Sequence, residues 1–267
     1  MNTFLMINIL NKFKIHYTTW LFILLALIAG YVKYVLIILI IVIGHEMGHV
    51  LAFKLFKLDI IKVIIYPFGG ITYVNKRIHE RIYKEIVCSL AGIVAQLFLA
   101  IIYYYLFAAN YIASSTYEIF KAYNKTILIF NLLPIIPLDG SKFINSILNK
   151  VCSFKRSYFL THVLSLIVLF LFIIKSFATK VNNLMIDLFL LCSLIKSLKS
   201  FKYILNKFYL ERVLYSHYYN KIVNDCNDLE KMMIERYYYF KVGQRYFNEK
   251  TFIQKRYLKG KDFFLNL

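Results

Sequence analysis

The block Tyr34–Phe53 constrains the fold most, because its apolar run is interrupted by His45, Glu46 and His49. An apolar segment of about 20 residues is long enough to cross a hydrocarbon core of about 30 Å as a helix. Ionisable side chains at that depth are costly, so they indicate a functional site. The block therefore predicts a membrane helix that carries a polar site.

The spacing of these three residues, H-E-x-x-H, is typical of a metal site on a helix. His45 and His49 are one turn apart, so both imidazoles lie on one face and can reach one metal ion. Glu46 is then available as a general base. The alternative is that the three side chains are buried structural hydrogen-bonding groups, and this explanation is the weaker one for such a motif.

A catalytic zinc site needs three protein ligands and one open position, and Asp139 is the best candidate for the third ligand. It follows Pro134 and Pro137 in an apolar stretch, where an unpaired carboxylate is expensive. The two prolines and Gly140 break the helix and let Asp139 turn inward. An interfacial carboxylate that caps a helix start is the alternative, but an intramembrane H-E-x-x-H motif favours the ligand.

The composition places the chain among polytopic membrane proteins, since 60% of its residues are hydrophobic and the mean hydropathy is +0.60. No removable signal peptide is expected in Asn2–Lys14. We predict an α-helical polytopic membrane protein with about six transmembrane helices. The candidate spans are Tyr17–Ala29, Tyr34–Phe53, Ile86–Ala109, Thr126–Leu148, Phe159–Ile174 and Leu184–Leu198.

The net charge of +19 is distributed asymmetrically between the predicted loops. If the N-terminus is cytoplasmic, the outer segments hold few basic residues, namely Lys33, Lys121, Lys125, Lys175 and Lys180. The positive-inside rule therefore favours cytoplasmic N- and C-termini. Lysine-rich loops beside anionic lipid explain the charge more simply than nucleic acid does, so we expect the lipid bilayer as a partner and no nucleic acid.

The segment Leu58–Val74 has a different pattern from the predicted spans. Two β-branched runs flank Pro67, Phe68, Gly69 and Gly70, which predicts a small β-hairpin or sheet insertion after the second span. Non-helical backbone near a membrane must be covered by protein or line a cavity. The segment could bind an extended peptide by strand addition, or it could be an ordinary interfacial hairpin.

The composition changes near residue 200, where the chain becomes basic and rich in Tyr and Phe. Apolar spacing around Tyr209–Val223 and Leu229–Tyr239 predicts a short helical cytoplasmic tail. The expected domains are therefore 1–200 in the membrane and 201–267 outside it. Gln96 is expected to bond to a neighbouring helix. Four further histidines are expected at interfaces or in solvent: His16, His79, His162 and His217.

Taken together, these motifs resemble the site-2 protease family of intramembrane metalloproteases, most closely the stage IV sporulation protein FB branch. The matching segments are His45–His49, Gly69–Gly70, Ser89–Gly92 and Asn131–Gly140. The resemblance implies one Zn²⁺ per chain, held by His45, His49 and Asp139, with Glu46 activating water. It also implies that an unwound substrate is positioned by Asn131, Pro134 and Pro137, near Gly69 and Gly70. The chain departs from the family pattern at Ile93, Gln96 and Ser141, which concern packing and not ligands.

The implied activity is zinc-dependent cleavage of a membrane-associated precursor, releasing a transcription factor such as a sporulation pro-sigma factor. The implied location is the cell membrane or an internal forespore membrane, with inhibitory membrane partners. A metal or ion transporter using the same three ligands is one alternative, although the predicted spans contain few other charged residues. An inactive membrane scaffold is another, although metal binding alone would not need Glu46. The tail is too short and too basic for the pair of nucleotide-sensing CBS motifs that this branch often carries.

Overall fold

The structure is a computed structural model, and it describes residues 12–66, 69–178, 184–215, 217, 219–242 and 244–259. Pro67 and Phe68 of the predicted turn lie outside the described residues, as does most of Asn2–Lys14. The chain divides into two compact units. The first comprises Met1–Lys76 and Val87–Leu132, and the second comprises Arg77–Ile86 and Leu133–Leu267.

The described residues are mainly helical. The helices are α1 (Tyr17–Ile28), α2 (Val32–Leu55), α3 (Ile82–Ala108), α4 (Ser114–Leu132), α5 (Asp139–Val151), α6 (Phe154–Ala178), α7 (Leu184–Lys199), α8 (Phe201–Leu214) and α9 (Glu249–Lys259). Within the described chain, three helical segments are long and apolar enough to cross a membrane: Val32–Leu55, Ile82–Ala108 and Phe154–Lys175. Helix α1 is apolar but shorter. The predicted class, a helical membrane protein, is confirmed.

The predicted span Thr126–Leu148 is interrupted within the segment where the two prolines predicted a helix break. Helix α4 ends at Leu132 and helix α5 begins at Asp139. Pro134 and Pro137 lie in the intervening link, where a proline lacks the backbone N–H that a helix needs and restricts the residue before it. The break makes Asp139 the first residue of a new helix.

The first unit contains a three-stranded sheet with β1 (Phe13–Ile15), β2 (Asp59–Tyr66) and β3 (Gly69–Asn75). Strand β2 lies in the middle, parallel to β1 and antiparallel to β3. The predicted sheet insertion after the second span is confirmed. Its inner face packs on α2, where Val63 of β2 contacts a buried cluster that includes Val50. This packing fixes the sheet against the helix that carries the histidine pair.

The second unit contains helices α5–α9 and a second sheet, with β4 (Lys221–Cys226), β5 (Arg236–Val242) and β6 (Arg245–Asn248). Strand β5 is central, parallel to β4 and antiparallel to β6. The predicted helical tail is therefore wrong in part, because these three segments are strands. In β5 the buried side chains are Tyr238 and Phe240, which follow a period of two residues. Aromatic residues favour such half-buried strands, and this overrides the helical spacing.

Candidate metal centre

Helix α2 brings the predicted histidine pair together in the first unit. His45, Glu46 and His49 are all buried, with 4%, 4% and 5% of their surface exposed. The two Nε2 atoms lie 3.1 Å apart, and the rings are nearly perpendicular, at 78°. One helical turn between two imidazoles is sufficient to produce this arrangement.

Hydrogen bonds at Nδ1 orient both rings. The Nδ1 of His49 lies 2.8 Å from the Cys88 carbonyl oxygen. Because a carbonyl oxygen only accepts, this Nδ1 carries the proton. The Nδ1 of His45 lies 3.2 Å from Oε1 of Gln96, whose Nε2 donates to the Asn124 carbonyl at 2.9 Å. Gln96 therefore presents its oxygen to His45, and both imidazoles direct their Nε2 lone pairs toward each other.

Two lone pairs at this separation repel each other unless they share a cation. Ideal tetrahedral zinc, with bonds of about 2.0–2.1 Å, sets two nitrogen ligands about 3.3 Å apart. The observed Nε2 separation of 3.1 Å is close to that value. The imidazole pair therefore fits a metal ion.

Glycine on α3 leaves the space in front of this pair. A Cβ atom at Gly92 would lie 2.5 Å from Nε2 of His49 and 2.6 Å from Nε2 of His45. A Cβ atom at Gly48 would lie 2.4 Å from the Ala91 carbonyl oxygen, so α2 and α3 approach closely. Small residues at such crossings are typical of membrane helix packing. Here they also leave the room that a bound ion needs.

Asp139, the predicted third ligand, is buried at the start of α5 in the second unit and offers a carboxylate oxygen as a candidate metal ligand. Two imidazole nitrogens and a carboxylate oxygen form a donor set that suits zinc. The residues therefore fit the metal by donor type.

The link before Asp139 is held within the second unit by Ser165 of α6. The Ser165 hydroxyl donates to the Pro134 carbonyl at 2.9 Å and accepts the Ile136 N–H at 3.3 Å. The Ser141 hydroxyl in turn donates to the Leu138 carbonyl at 2.7 Å. These bonds satisfy backbone groups that the proline-containing link leaves outside a helix. They fix the start of α5, where Asp139 lies.

Glu46 faces strand β3 of the sheet. Its Oε2 accepts a hydrogen bond from the Thr72 hydroxyl at 2.8 Å. A Cβ atom at Gly70 would lie 2.4 Å from the Glu46 Cδ, so only glycine fits opposite the carboxylate. Gly69 has a φ of +147°, a conformation that favours glycine. Both predicted glycines therefore lie on β3, and Gly70 lies directly against the candidate base.

The predicted substrate residues occupy three positions. Gly69 and Gly70 begin β3, Asn131 lies in the last turn of α4, and Pro134 and Pro137 lie in the link before α5. Among the described residues, β3 has a strand partner on one side only, which is β2. Its other edge carries backbone groups that an extended peptide can pair with.

Two partners of the site were not identified from sequence. Gln96 was expected to bond to a neighbouring helix, which is confirmed, but its contact with His45 was not foreseen. Its only signal was an amide in an apolar helix. Thr72 gave no signal, because a threonine in a strand is common.

The side chains of two histidines expected at an interface or in solvent are buried instead. His162 is hydrogen-bonded through Nδ1 to the Tyr158 carbonyl and through Nε2 to the Ser197 hydroxyl, each at 2.8 Å. His79 of the second unit accepts from the Arg212 Nε at 2.7 Å and has Nδ1 3.3 Å from the Glu211 carboxylate. The pKa of His79 is lowered to about 3, mainly by burial, and the Arg212 charge acts in the same direction. Hydrogen bonding to Glu211 only partly opposes this effect.

The apolar helices, the H-E-x-x-H helix and the sheet against its carboxylate define a helical membrane protein of the metallohydrolase class. The sequence profile of Peptidase family M50 matches residues 33–127. The chain is 30% identical over 230 residues to "Stage IV sporulation protein FB" of Bacillus subtilis (strain 168), covering 85% of this chain and 77% of that protein. The chain therefore belongs to peptidase family M50, the site-2 protease family.

A solved structure shares the fold. The chain matches the "Site-2 Protease from Methanocaldococcus jannaschii" with a TM-score of 0.55 and 20% identity, covering 69% of this chain and 89% of the other. The resemblance to site-2 proteases that the motifs predicted is confirmed. Members of the family are zinc metalloproteases that act on membrane-bound substrates.

Proposed function

We propose that this chain is an intramembrane zinc metalloendopeptidase in which His45, His49 and Asp139 hold one Zn²⁺. The observation that carries the proposal is the histidine pair, whose Nε2 atoms face each other 3.1 Å apart beside a buried glutamate. An ordinary structural pair would not need both nitrogens oriented as acceptors. Zinc, when bound, supplies Lewis acidity at an open ligand position.

The chain's own residues supply proton transfer and orientation. Glu46 takes a proton from the attacking water and passes it to the leaving amine. The Gln96 and Cys88 oxygens keep the two imidazoles in the tautomer that binds metal through Nε2. Thus each imidazole is held by a partner outside the metal site.

The substrate is proposed to bind as an extended segment along β3. A helical peptide hides its carbonyl groups in hydrogen bonds, so it must unwind before attack. The edge of β3 offers replacement backbone partners, and Gly69 and Gly70 let the peptide approach closely. Asn131, Pro134 and Pro137 are proposed to position the same segment.

The proposed setting is a membrane crossed about six times, with cytoplasmic termini and a cell or forespore membrane location. The substrate is proposed to be a membrane-associated precursor such as a sporulation pro-sigma factor, in keeping with the name of the Bacillus relative. Membrane partners that inhibit cleavage fit the same scheme.

The decisive experiment co-produces the chain with candidate membrane-associated precursors in a host without related proteases. Glu46→Gln should retain one zinc per chain and lose cleavage by about 10²-fold or more, because general acid–base catalysis contributes roughly 10²–10⁴-fold. The matched control is Glu118→Gln, an exposed glutamate on α4 that should cleave normally. Cleavage by zinc-loaded Glu46→Gln would remove Glu46 from the mechanism. Zinc uptake into vesicles by a chain that cleaves no precursor would favour the transporter.

A further inference from the structure

We infer that Thr72 is a positioning residue for the Glu46 carboxylate. Strand β3 then has two roles: its backbone edge binds the peptide, and the side chain of Thr72 orients the base. The inference rests on the proposed function, because it assigns Thr72 a part in the same reaction. It is carried by three features of the first unit: a hydrogen bond, the close approach of Gly70 and a strand register.

The hydrogen bond engages one of the two oxygens of the base. Thr72 Oγ1 donates to Glu46 Oε2 at 2.8 Å, and Glu46 is only 4% exposed. A buried carboxylate oxygen without a donor is costly, so the hydroxyl stabilises this position of the side chain. Glu46 has several rotatable bonds, and a single strong donor selects one of its orientations.

The close approach is that of Gly70 to the Glu46 carboxyl group, including its other oxygen. A Cβ atom at Gly70 would lie 2.7 Å from Glu46 Oε1, closer than any side chain can approach. Glycine therefore lets β3 lie against the carboxylate with no side chain of residue 70 between them. With Oε2 held by Thr72, Oε1 is the oxygen left to exchange a proton with water.

The register of the sheet explains why both residues face the base. Gly70 and Thr72 are two positions apart, so they lie on the same face of β3. They pair with Ile65 and Val63 of β2, which are buried at 2% and 0% exposure. The Thr72 hydroxyl is therefore placed by a packed sheet and not by a mobile loop. Such rigid support is what a catalytic orientation requires.

The test compares Thr72→Val, which keeps the shape and removes the donor, with Thr72→Ser, which keeps the donor. Thr72→Val should lower kcat about 10-fold or more while KM and zinc content stay unchanged, because misplacing a reacting group by about 1 Å is costly. Thr72→Ser should restore most of kcat. If Thr72→Val only damaged the sheet, Thr72→Ser would not restore kcat while KM stayed constant.

A second threonine provides the matched control. Thr19 of α1 is buried, and its hydroxyl donates to the Ile65 carbonyl of β2 at 2.8 Å instead of to a carboxylate. Thr19→Val should lower stability but leave kcat within about 2-fold of the parent. Equal kcat losses in Thr19→Val and Thr72→Val would overturn the inference, as would an unchanged kcat in Thr72→Val.

An infrared measurement separates this inference from the proposed function. The difference spectrum between parent and Glu46→Gln, both loaded with zinc, identifies the Glu46 carboxylate bands. Those bands should shift in Thr72→Val and return in Thr72→Ser, whether or not a substrate is cleaved. Unshifted bands in Thr72→Val would reject the positioning role. If the bands shift in Thr72→Val but the parent protein cleaves none of the precursors, the proposed function is rejected and the positioning role of Thr72 stands.

Discussion

Among the described residues, two histidine clusters with buried side chains lie one in each compact unit, and their hydrogen bonds differ in kind. In the first unit, His45 and His49 present Nε2 lone pairs to each other, because their Nδ1 atoms are engaged by Gln96 and Cys88. In the second unit, both nitrogens of His79 are matched by protein groups, with Arg212 as donor and Glu211 as acceptor. The first arrangement suits a metal ion, whereas the second matches its nitrogens with protein groups. Burial alone does not separate a metal site from a structural histidine, whereas the roles of the nitrogens do.

The largest expected effect is the loss of metal from the first cluster. His49→Ala should weaken zinc binding by more than about 100-fold, because it removes one of the three ligands. Removing only a hydrogen-bond partner of a ligand costs roughly 10- to 100-fold in metal affinity. Zinc per chain after equilibration with a competing chelator measures this effect. His79→Gln is the matched control and should bind zinc as the parent does. If both variants lost zinc equally, the distinction between the clusters would be wrong.

A smaller effect is expected from the residue that orients His45. Gln96→Leu should lower zinc affinity about 10- to 100-fold, since it removes the acceptor that fixes the ring tautomer. Gln96→Glu keeps an acceptor for His45 but loses the donor to Asn124, so its affinity should fall less. Chelator competition again gives the affinities, with the exposed Gln254→Leu of α9 as control. Equal zinc affinity in Gln96→Leu and the parent would show that the tautomer does not depend on Gln96.

Features of the fold that depend on residues close together in sequence were predicted correctly. One helical turn separates His45 from His49, so the spacing alone implied rings on one face. The β-branched runs around Gly69 and Gly70 predicted the sheet insertion, and the two prolines predicted the helix break before Asp139. In each case the deciding residues lie within a few positions of one another.

Long-range contacts account for what the sequence did not predict. Gln96 reaches His45 across 51 positions, and the Arg212 contact that buries His79 spans 133. Neither separation leaves a periodic signal. The tail was misassigned for another reason, because its aromatic residues satisfy helical and strand spacing equally until packing selects one. Tyr238 and Phe240 pack on one side of β5, and that contact with the core decides the strand.

The smallest effect concerns the second cluster and its response to acid. The pKa of His79 is lowered to about 3 by burial, against a normal value of 6.5. Between these pH values the unfolded chain binds a proton that the folded chain does not. The free energy of unfolding is therefore highest above about pH 6.5 and decreases as the pH falls. The loss between pH 6.5 and 5.5 should be about 1 kcal/mol for this histidine. Burial also lowers the pKa of His217, which acts in the same direction.

Hydrogen exchange of peptides from Phe201–Leu214 and Arg236–Val242, in increasing denaturant at both pH values, measures this loss. His79→Gln can still accept from Arg212 and donate to Glu211, but it cannot titrate, so its stability should change less with pH than that of the parent. His16→Gln, in the first unit, should leave the pH dependence of these peptides unchanged. An equal pH dependence in His79→Gln and the parent would mean that acid acts on the second unit through other groups. The His79 cluster would then no longer serve as the example of a buried neutral histidine with which the His45/His49 pair is compared.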